Sequence, residues 1–400
     1  MRTVLGALVL VGLAGAPTFA QLADAPWPKF QHDSQNTGRS HLYNGPAGPD
    51  PQIAWEYQAK VGRTAVTIGN GGIVYVGDGK KPLTALSSAD GSVLWEMTNG
   101  KTGQAARSTP ALSADGHVYI GERGNNLWSA DSGDGSIDWK FFVPSDGDIR
   151  VSPAIRSDGV IYMASGSLGA GFLYGINPNG TQKWLNPLGD FLSNLSPALS
   201  EDQETLYVSL GATYVVAIDA DTGVEHWRKN VTKHGPGGGI ANRSVVIGAD
   251  GTLYFAGYEG LFAIDPDPDG TGEILDQFSP SGGGFFQSCP ALGADGTLYI
   301  GASGAVPTFY ALNPDLSVKW SYIMLESGRF INTNAVVGLN GTVYVTFGHG
   351  LYSFTPGGNG MGQGVVNWRM DFPRKFTNGA SIDDGALYVV NRLSLFKITD

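Results

Sequence analysis

A phrase of near-constant length recurs along this chain, and few folds can accommodate it. Tyr75, Tyr119, Tyr162, Tyr207, Tyr254, Tyr299, Tyr344 and Tyr388 each follow an Asp-Gly or similar turn, at successive spacings of 44, 43, 45, 47, 45, 45 and 44 residues. A second register agrees. Trp55, Trp95, Trp139, Trp184, Trp227, Trp320 and Trp368 close the repeats, with Phe278 standing in once. This period suits a propeller blade of four short antiparallel strands. The chain is therefore expected to be all-β: an eight-bladed β-propeller with four-stranded antiparallel blades.

The phase of the two registers predicts how the ring closes. Trp55 precedes the first tyrosine turn, and no tryptophan follows Tyr388. The strand carrying Trp55 is thus expected to supply the outer strand of the last blade, removing the open edges of a linear array. A ring closed this way is expected to be a monomer. Turn chemistry orders the strands. Ser113-Ala-Asp-Gly116 reads as the hairpin between strands one and two, and Asp131–Gly135 and Asp219–Gly223 as turns between strands three and four. Pro110, Pro153, Pro197 and Pro290 fall at the first strand. Proline cannot donate to a ladder, so that strand is expected to be the innermost edge.

Domain boundaries follow from where the repeat begins. Residues 1–20 read as a signal peptide: Arg2, an apolar run over Val4–Gly15, then Thr18 and Ala20 three and one residues before a cut at Gln21. No cysteine follows to carry a lipid anchor, the run is too short to span a bilayer, and no later span is foreseen. Export to the periplasm or the extracellular space is expected. Residues 21–51, including WPKFQHDSQNTGRS, form a non-repeating lead segment expected to pack on the body, with Asp33 and Asn36-Thr37-Gly38 holding a turn. Residues 52–400 form the propeller. The net charge of −11 argues against nucleic acid as a partner. Cys289 is the only cysteine, which excludes an internal disulfide, Cys-rich zinc sites and C-x-x-C-H haem attachment.

Two places could carry chemistry. In an up-and-down blade, the one–two and three–four hairpins share one face and look structural. The two–three loops and the crossovers between blades share the other, where the repeats differ. Four residues before Ala111 and its equivalents stand Arg63, Arg107, Arg150, Asn194, Asn242, Gln287, Asn332 and Phe376; two residues later stand Ala65, Thr109, Ser152, Ser196, Ser244, Cys289, Asn334 and Asn378. Alternation puts both sets on one side of the strand. The first seven leading residues make a donor-rich channel mouth suited to a small polar or anionic ligand or a protein partner. The competing role for these side chains is structural, bonding to neighbouring crossovers and tying the ring together. The second place is Asp265, Asp267, Asp269, Thr271 and Glu273, whose oxygens at alternating positions resemble a calcium loop. The six histidines show no metal-ligand pairing. Asp146, Asp148, Asp190 and Glu326 lie in crossovers without a readable separation.

The units Asp219-x-x-Thr222-Gly223-x-x-x-Trp227 and Ser88-Ala89-Asp90-Gly91-x-x-x-Trp95, with the WPKFQHDSQNTG opening, resemble the pyrroloquinoline-quinone-like β-propeller repeat family. That family includes quinoprotein dehydrogenases and the propeller lipoprotein of outer-membrane barrel assembly. The resemblance covers the chain from Trp27 onward. Its dehydrogenases imply an adjacent cysteine pair over the cofactor and a set of calcium-binding acids. Here Cys289 stands alone, so the quinone and the oxidoreductase activity are not expected to carry over. The expected function is a non-catalytic, exported propeller binding through its crossover face. The alternatives are a quinone-dependent oxidoreductase and an envelope-assembly scaffold.

Overall fold

The computed structural model describes residues 21–58, 64–77, 79, 81–98, 106, 108–144, 149–167, 170–189, 196–232, 243–267, 270–324 and 333–400. Eight antiparallel sheets follow one another around a ring. Blade 2 shows the plan: Ala111–Leu112, His117–Gly121, Asn126–Asp131 and Ile137–Phe142, paired in chain order. Blade 6 adds one short strand, Phe285–Phe286, against Leu298–Ser303. The last blade is closed from the front of the chain. Gln52–Gln58 pairs antiparallel with Ser394–Thr399, outside Ala386–Val390 and Ser381–Asp383. The eight-bladed ring and its closure by the strand carrying Trp55 are as the two registers predicted.

The turns behave as their chemistry requires. At Ser113–Gly116 the Gly116 amide donates to Ser113 O (3.2 Å), and at Asp131–Gly135 the Gly135 amide donates to Asp131 O (2.9 Å). The second turn needs glycine for two reasons. Gly135 has φ +76°, and a Cβ there would lie 2.5 Å from the ring of Trp95 in the preceding blade. Gly223 is the same case with Trp184, at φ +75° and 2.6 Å. Each Asp-x-x-x-Gly-x-x-x-Trp unit thus receives the previous blade's indole on its glycine and packs its own indole on the next.

At several junctions the two aromatic ladders tie blades by hydrogen bonds as well as by packing, although Trp95, Tyr119, Trp368 and Tyr388 have no such partner. Tyr162 Oη and Trp184 Nε1 both donate to Ala220 O in the next blade's turn, at 2.9 and 3.1 Å. Tyr299 and Trp320 share Pro356 O in the same way (3.4 and 2.8 Å). Buried phenol and indole donors find partners here without breaking either blade's own ladder. The hydrophobic core accordingly lies between blades rather than within them. One cluster joins Tyr162, Leu173 and Trp184 of blade 3 to Leu206, Val216 and Ile218 of blade 4.

Blade 5 departs from the reading of Phe278 as a substitute tryptophan. Trp227 lies opposite Ala217 and Trp320 opposite Ala311, but the residue opposite Ala263 is Asp276. Phe278 sits two positions farther along and packs on Phe286 and Tyr310, with ring centroids at 6.3 and 5.1 Å.

Candidate functional site

The first strands surround the axis, and their chemistry divides into three levels. On the hairpin side, the lead segment crosses the ring. The inner strand is an edge with unpaired amides, and the lead segment supplies carbonyls to them. Trp27 O accepts from Ile68, Pro28 O from Leu112, Ser34 O from Leu199, Gln35 O from Ile247, Thr37 O from Leu292 and Gly38 O from Val337, all at 2.8–3.0 Å. Six blades are thereby tied to one strip of chain. Trp27 is buried beneath it. The Asp33 turn is present: Asp33 Oδ1 accepts the Thr37 amide (2.9 Å) and Oδ2 accepts the Thr37 hydroxyl.

At the centre of that strip lies Lys29, fully buried. Its ammonium donates to Phe30 O (2.8 Å), Asp33 O (2.8 Å) and Asn36 Oδ1 (2.5 Å). Asn36 in turn donates to Ser196 O (3.0 Å) and Val245 O (3.1 Å) of blades 4 and 5. Three donors meet three acceptors, as a buried ammonium needs. Burial still pushes the group down to about 7, opposed by the nearby Asp33.

One level along the axis is the set Ala65, Thr109, Ser152, Ser196, Ser244, Cys289, Asn334 and Asn378. Here Thr109, Ser152, Ser244, Cys289 and Asn334 each accept from a backbone amide of the blade before, while Ser196 Oγ is buried without a partner. The Ala65 amide donates to Thr109 Oγ1 (3.0 Å), Thr109 to Ser152 Oγ (3.0 Å), Ser196 to Ser244 Oγ (2.9 Å), Ser244 to Cys289 Sγ (2.9 Å) and Cys289 to Asn334 Oδ1 (2.9 Å). This second set therefore ties the ring together, through amides rather than crossover carbonyls. Cys289 is an acceptor in that belt, and burial pushes its thiol up to about 11.

The channel mouth lies beyond this belt. Arg150 is half-buried there. Gln287 Oε1 accepts from Ser303 Oγ at 3.4 Å. Phe376 is buried against Phe372, ring centroids 4.8 Å apart. Arg63, Arg107, Asn194, Asn242 and Asn332 lie outside the described residues, as do Asp146, Asp148, Asp190 and Glu326. The residue that stands out is one the spacing passed over, Arg243, next in sequence to Asn242. It is 3% exposed. Nη2 donates to Phe286 O, while Nε and Nη1 have no partner. Burial pushes its guanidinium down to about 10, with Cys289 and Tyr258 near enough to oppose the shift. Ser288 Oγ, Thr377 Oγ1 and Asn378 Nδ2, in the same or adjoining tier, are also buried without partners. Such groups are the ones that water or a ligand serves.

The acidic turn of blade 5 also has a structural duty. Asp265 N donates to Glu273 O (2.8 Å) and Asp267 N to Asp265 Oδ1 (3.0 Å). Blade 4 docks on it as on any other turn, Trp227 Nε1 to Asp267 O (2.8 Å) and Tyr207 Oη to Pro266 O (2.7 Å). Thr271 and Glu273 are exposed, and Asp269 lies outside the described residues. Among the described residues no three His, Cys, Asp or Glu side chains are grouped to hold a metal, and no helix is long and apolar enough to cross a membrane.

A cavity of about 500 Å³ opens on the hairpin face, the face the sequence marks as structural. It runs between the lead segment and the one–two hairpins of blades 4, 5 and 6.

Comparison with known structures agrees on architecture. The quinohemoprotein alcohol dehydrogenase ADHIIG from Pseudomonas putida HK5 superposes with a TM-score of 0.74 at 14% identity, covering 94% of this chain and 80% of that one. A europium-containing methanol dehydrogenase gives 0.71 at 12% identity, covering 91% and 88%. BamB from Moraxella catarrhalis gives 0.65 at 15% identity, covering 88% and 98%. No curated protein matches the chain in sequence. The described axial residues do not fit a calcium–quinone pair. The belt offers hydroxyl, thiol and amide groups but no carboxylate, most of its acceptors are held by neighbouring amides, and the single cysteine cannot form an adjacent pair. In sequence, residues 48–267 match the family described as outer membrane protein assembly factor BamB, and the chain belongs to that family.

Proposed function

We propose that this protein is an exported, non-catalytic propeller that binds an anionic group through its crossover face, between blades 5 and 6. The observation that carries this reading is Arg243. A buried guanidinium with two N–H edges unpaired and no carboxylate beside it among the described residues costs several kcal/mol to maintain unless an anion completes it. A carboxylate or phosphate is the natural complement to its planar fork. Tyr258, half-exposed in the two–three loop of blade 5, offers a ring and a hydroxyl nearby. Arg63, Arg107 and Arg150 would add positive charge around the same mouth. A thermal-shift screen of small carboxylates and phosphates tests the reading. Stabilisation lost in Arg243→Met is expected; unchanged melting across the screen overturns it.

Membership of the BamB family favours a second reading, an envelope-assembly scaffold that uses the same face for a protein partner. Capture from native envelope with wild-type protein and with Tyr258→Ala separates a protein partner from a small ligand. The turn Asp265, Asp267, Asp269, Thr271 and Glu273 is proposed as a calcium loop that would brace the blade lacking its tryptophan. Calcium added to chelated protein should release heat that Asp265→Asn abolishes; a flat titration retires this proposal.

A further inference from the structure

The cavity on the hairpin face has a built character that the propeller itself does not require. Its inner wall is the lead segment, whose alternate residues Asp33, Gln35, Thr37 and Arg39 line it. Asn36, between them, points the other way and holds Lys29. The floor is made by two identical turns, Gly248-Ala-Asp-Gly251 and Gly293-Ala-Asp-Gly296, in blades 5 and 6. Blade 3 has Arg156 at the first position of its turn, bonded to Asp158 within the turn and to Asp221 of blade 4. Glycine at that position keeps the floor low. Tyr207, Tyr254, Ile247, Leu292, Pro266 and Pro314 give it apolar walls. A volume of about 500 Å³ falls within the usual range of small-ligand pockets.

Among the described residues most charges along this cavity are paired, and the two that are not come from different elements, the blade 4 hairpin and the lead segment beside blade 7. Asp33 is held by Thr37. Asp295 accepts from Lys319 (2.8 Å) and from the Thr297 amide (3.1 Å), and hydrogen bonding from these groups holds its carboxyl down to about 2 against the effect of burial. Asp250 takes the Thr252 amide on one oxygen (3.1 Å). Glu201, in the blade 4 hairpin, is exposed and makes no ion pair or hydrogen bond among the described residues. Arg39 is half-buried, and its backbone bridges Val337 of blade 7. Its guanidinium likewise has no hydrogen-bonded partner among the described residues. The cavity therefore carries a carboxylate, the open side of Asp250 and a guanidinium, the first and last without a bonded partner among the described residues.

We propose that this cavity binds a short peptide by its two charged termini, Arg39 taking the carboxylate and Glu201 the ammonium. The apolar walls and the glycine floor accommodate small side chains between them. The site lies on the face opposite Arg243 and is independent of the reading above.

Calorimetry with Ala-Ala-Ala, its N-acetyl form and its C-terminal amide tests the proposal directly. The free tripeptide is expected to bind, and each capped form to bind about tenfold more weakly, the loss of one charge-assisted contact. Glu201→Gln should weaken the free tripeptide to the level of the acetylated one and leave the acetylated one unaffected. Arg39→Gln should do the same for the amide. Arg243→Met should leave all three affinities unchanged, so failure at this site is distinguishable from failure at the crossover mouth. Absence of heat with all three tripeptides, or capped forms that bind as tightly as the free one, overturns the proposal. The capping comparison on wild-type protein stands even where a variant misfolds.

Discussion

Replacing Gly223 by alanine should cost far more than the same change at Gly211, twelve residues earlier in the same blade. Both glycines have positive φ, +75° and +59°. A Cβ at Gly211 meets nothing within 4 Å, whereas one at Gly223 lies 2.6 Å from the ring of Trp184. The left-handed conformation alone costs an alanine roughly 1–2 kcal/mol. Forcing a methyl into a packed interface adds roughly 1–3 kcal/mol. Gly211→Ala should therefore destabilise by about 1–2 kcal/mol and Gly223→Ala by about 2–5 kcal/mol. Urea unfolding followed by far-ultraviolet circular dichroism measures both. The indole is the cause, so a cycle isolates it: in a Trp184→Ala background, the Gly223→Ala cost should fall to that of Gly211→Ala. Equal costs in the wild type, or no fall when the indole is removed, would refute the view that each turn glycine exists to receive the preceding blade's tryptophan.

Other consequences can be measured with the same unfolding assay. Thr109→Val keeps shape but removes the acceptor of the Ala65 amide; it should cost about 1–2 kcal/mol, with Thr109→Ser restoring most of it. The Lys29 ammonium is pushed from 10.5 down to about 7 by burial. Across that window the unfolded chain carries a proton the folded one has shed. The stability Lys29 contributes should thus rise with pH from about 7 to 10.5, by roughly 5 kcal/mol at most, and be lost again as pH falls from 10.5 to 7. Lys29→Met should flatten that rise; a wild type equally stable at pH 7 and 10 speaks against it. Deleting residues 21–51 should leave six inner strands without their carbonyl partners, and hydrogen exchange at Ile68, Leu112, Leu199, Ile247, Leu292 and Val337 should accelerate together. Continued slow exchange at those six amides would show that the strip is dispensable.

Fold was legible because it is written eight times over. A repeat whose tyrosine and tryptophan each find a partner in the next copy can only close into a ring, and the phase of Trp55 against Tyr388 gave the manner of closing. The site was less legible for a physical reason: single residues that break a pattern carry no internal check. Phe278 looked like the missing tryptophan because it is aromatic, but the enlarged turn before it shifts the register, and Asp276 holds the place. Asn242, chosen by alternation, lies outside the described residues, and the side chain with unmet hydrogen bonds among those described is its neighbour Arg243. The set Thr109, Ser152, Ser244, Cys289 and Asn334 varies in residue type and so resembles a binding rim. Its common property, an acceptor at one height, is apparent only once neighbouring amides are seen to use it. The cavity on the hairpin face needed both the non-repeating strip and three turns, brought together from positions far apart in the chain.

The closing strand also has a consequence in time. Gln52–Gln58 is among the first parts of the propeller to be synthesised, yet among the described residues its sheet partner is Ser394–Thr399. Asn44 waits for Gly385, and the Gly48 amide bonds to the side chain of Asp400. Until the ribosome has delivered residues 385–400, the ring cannot lock, and contacts this distant in sequence form slowly. A newly made chain must therefore keep this strand unpaired until residues 394–400 arrive. That delay is a hazard in a crowded compartment, and it is also the state in which a chain can still be threaded through a narrow pore.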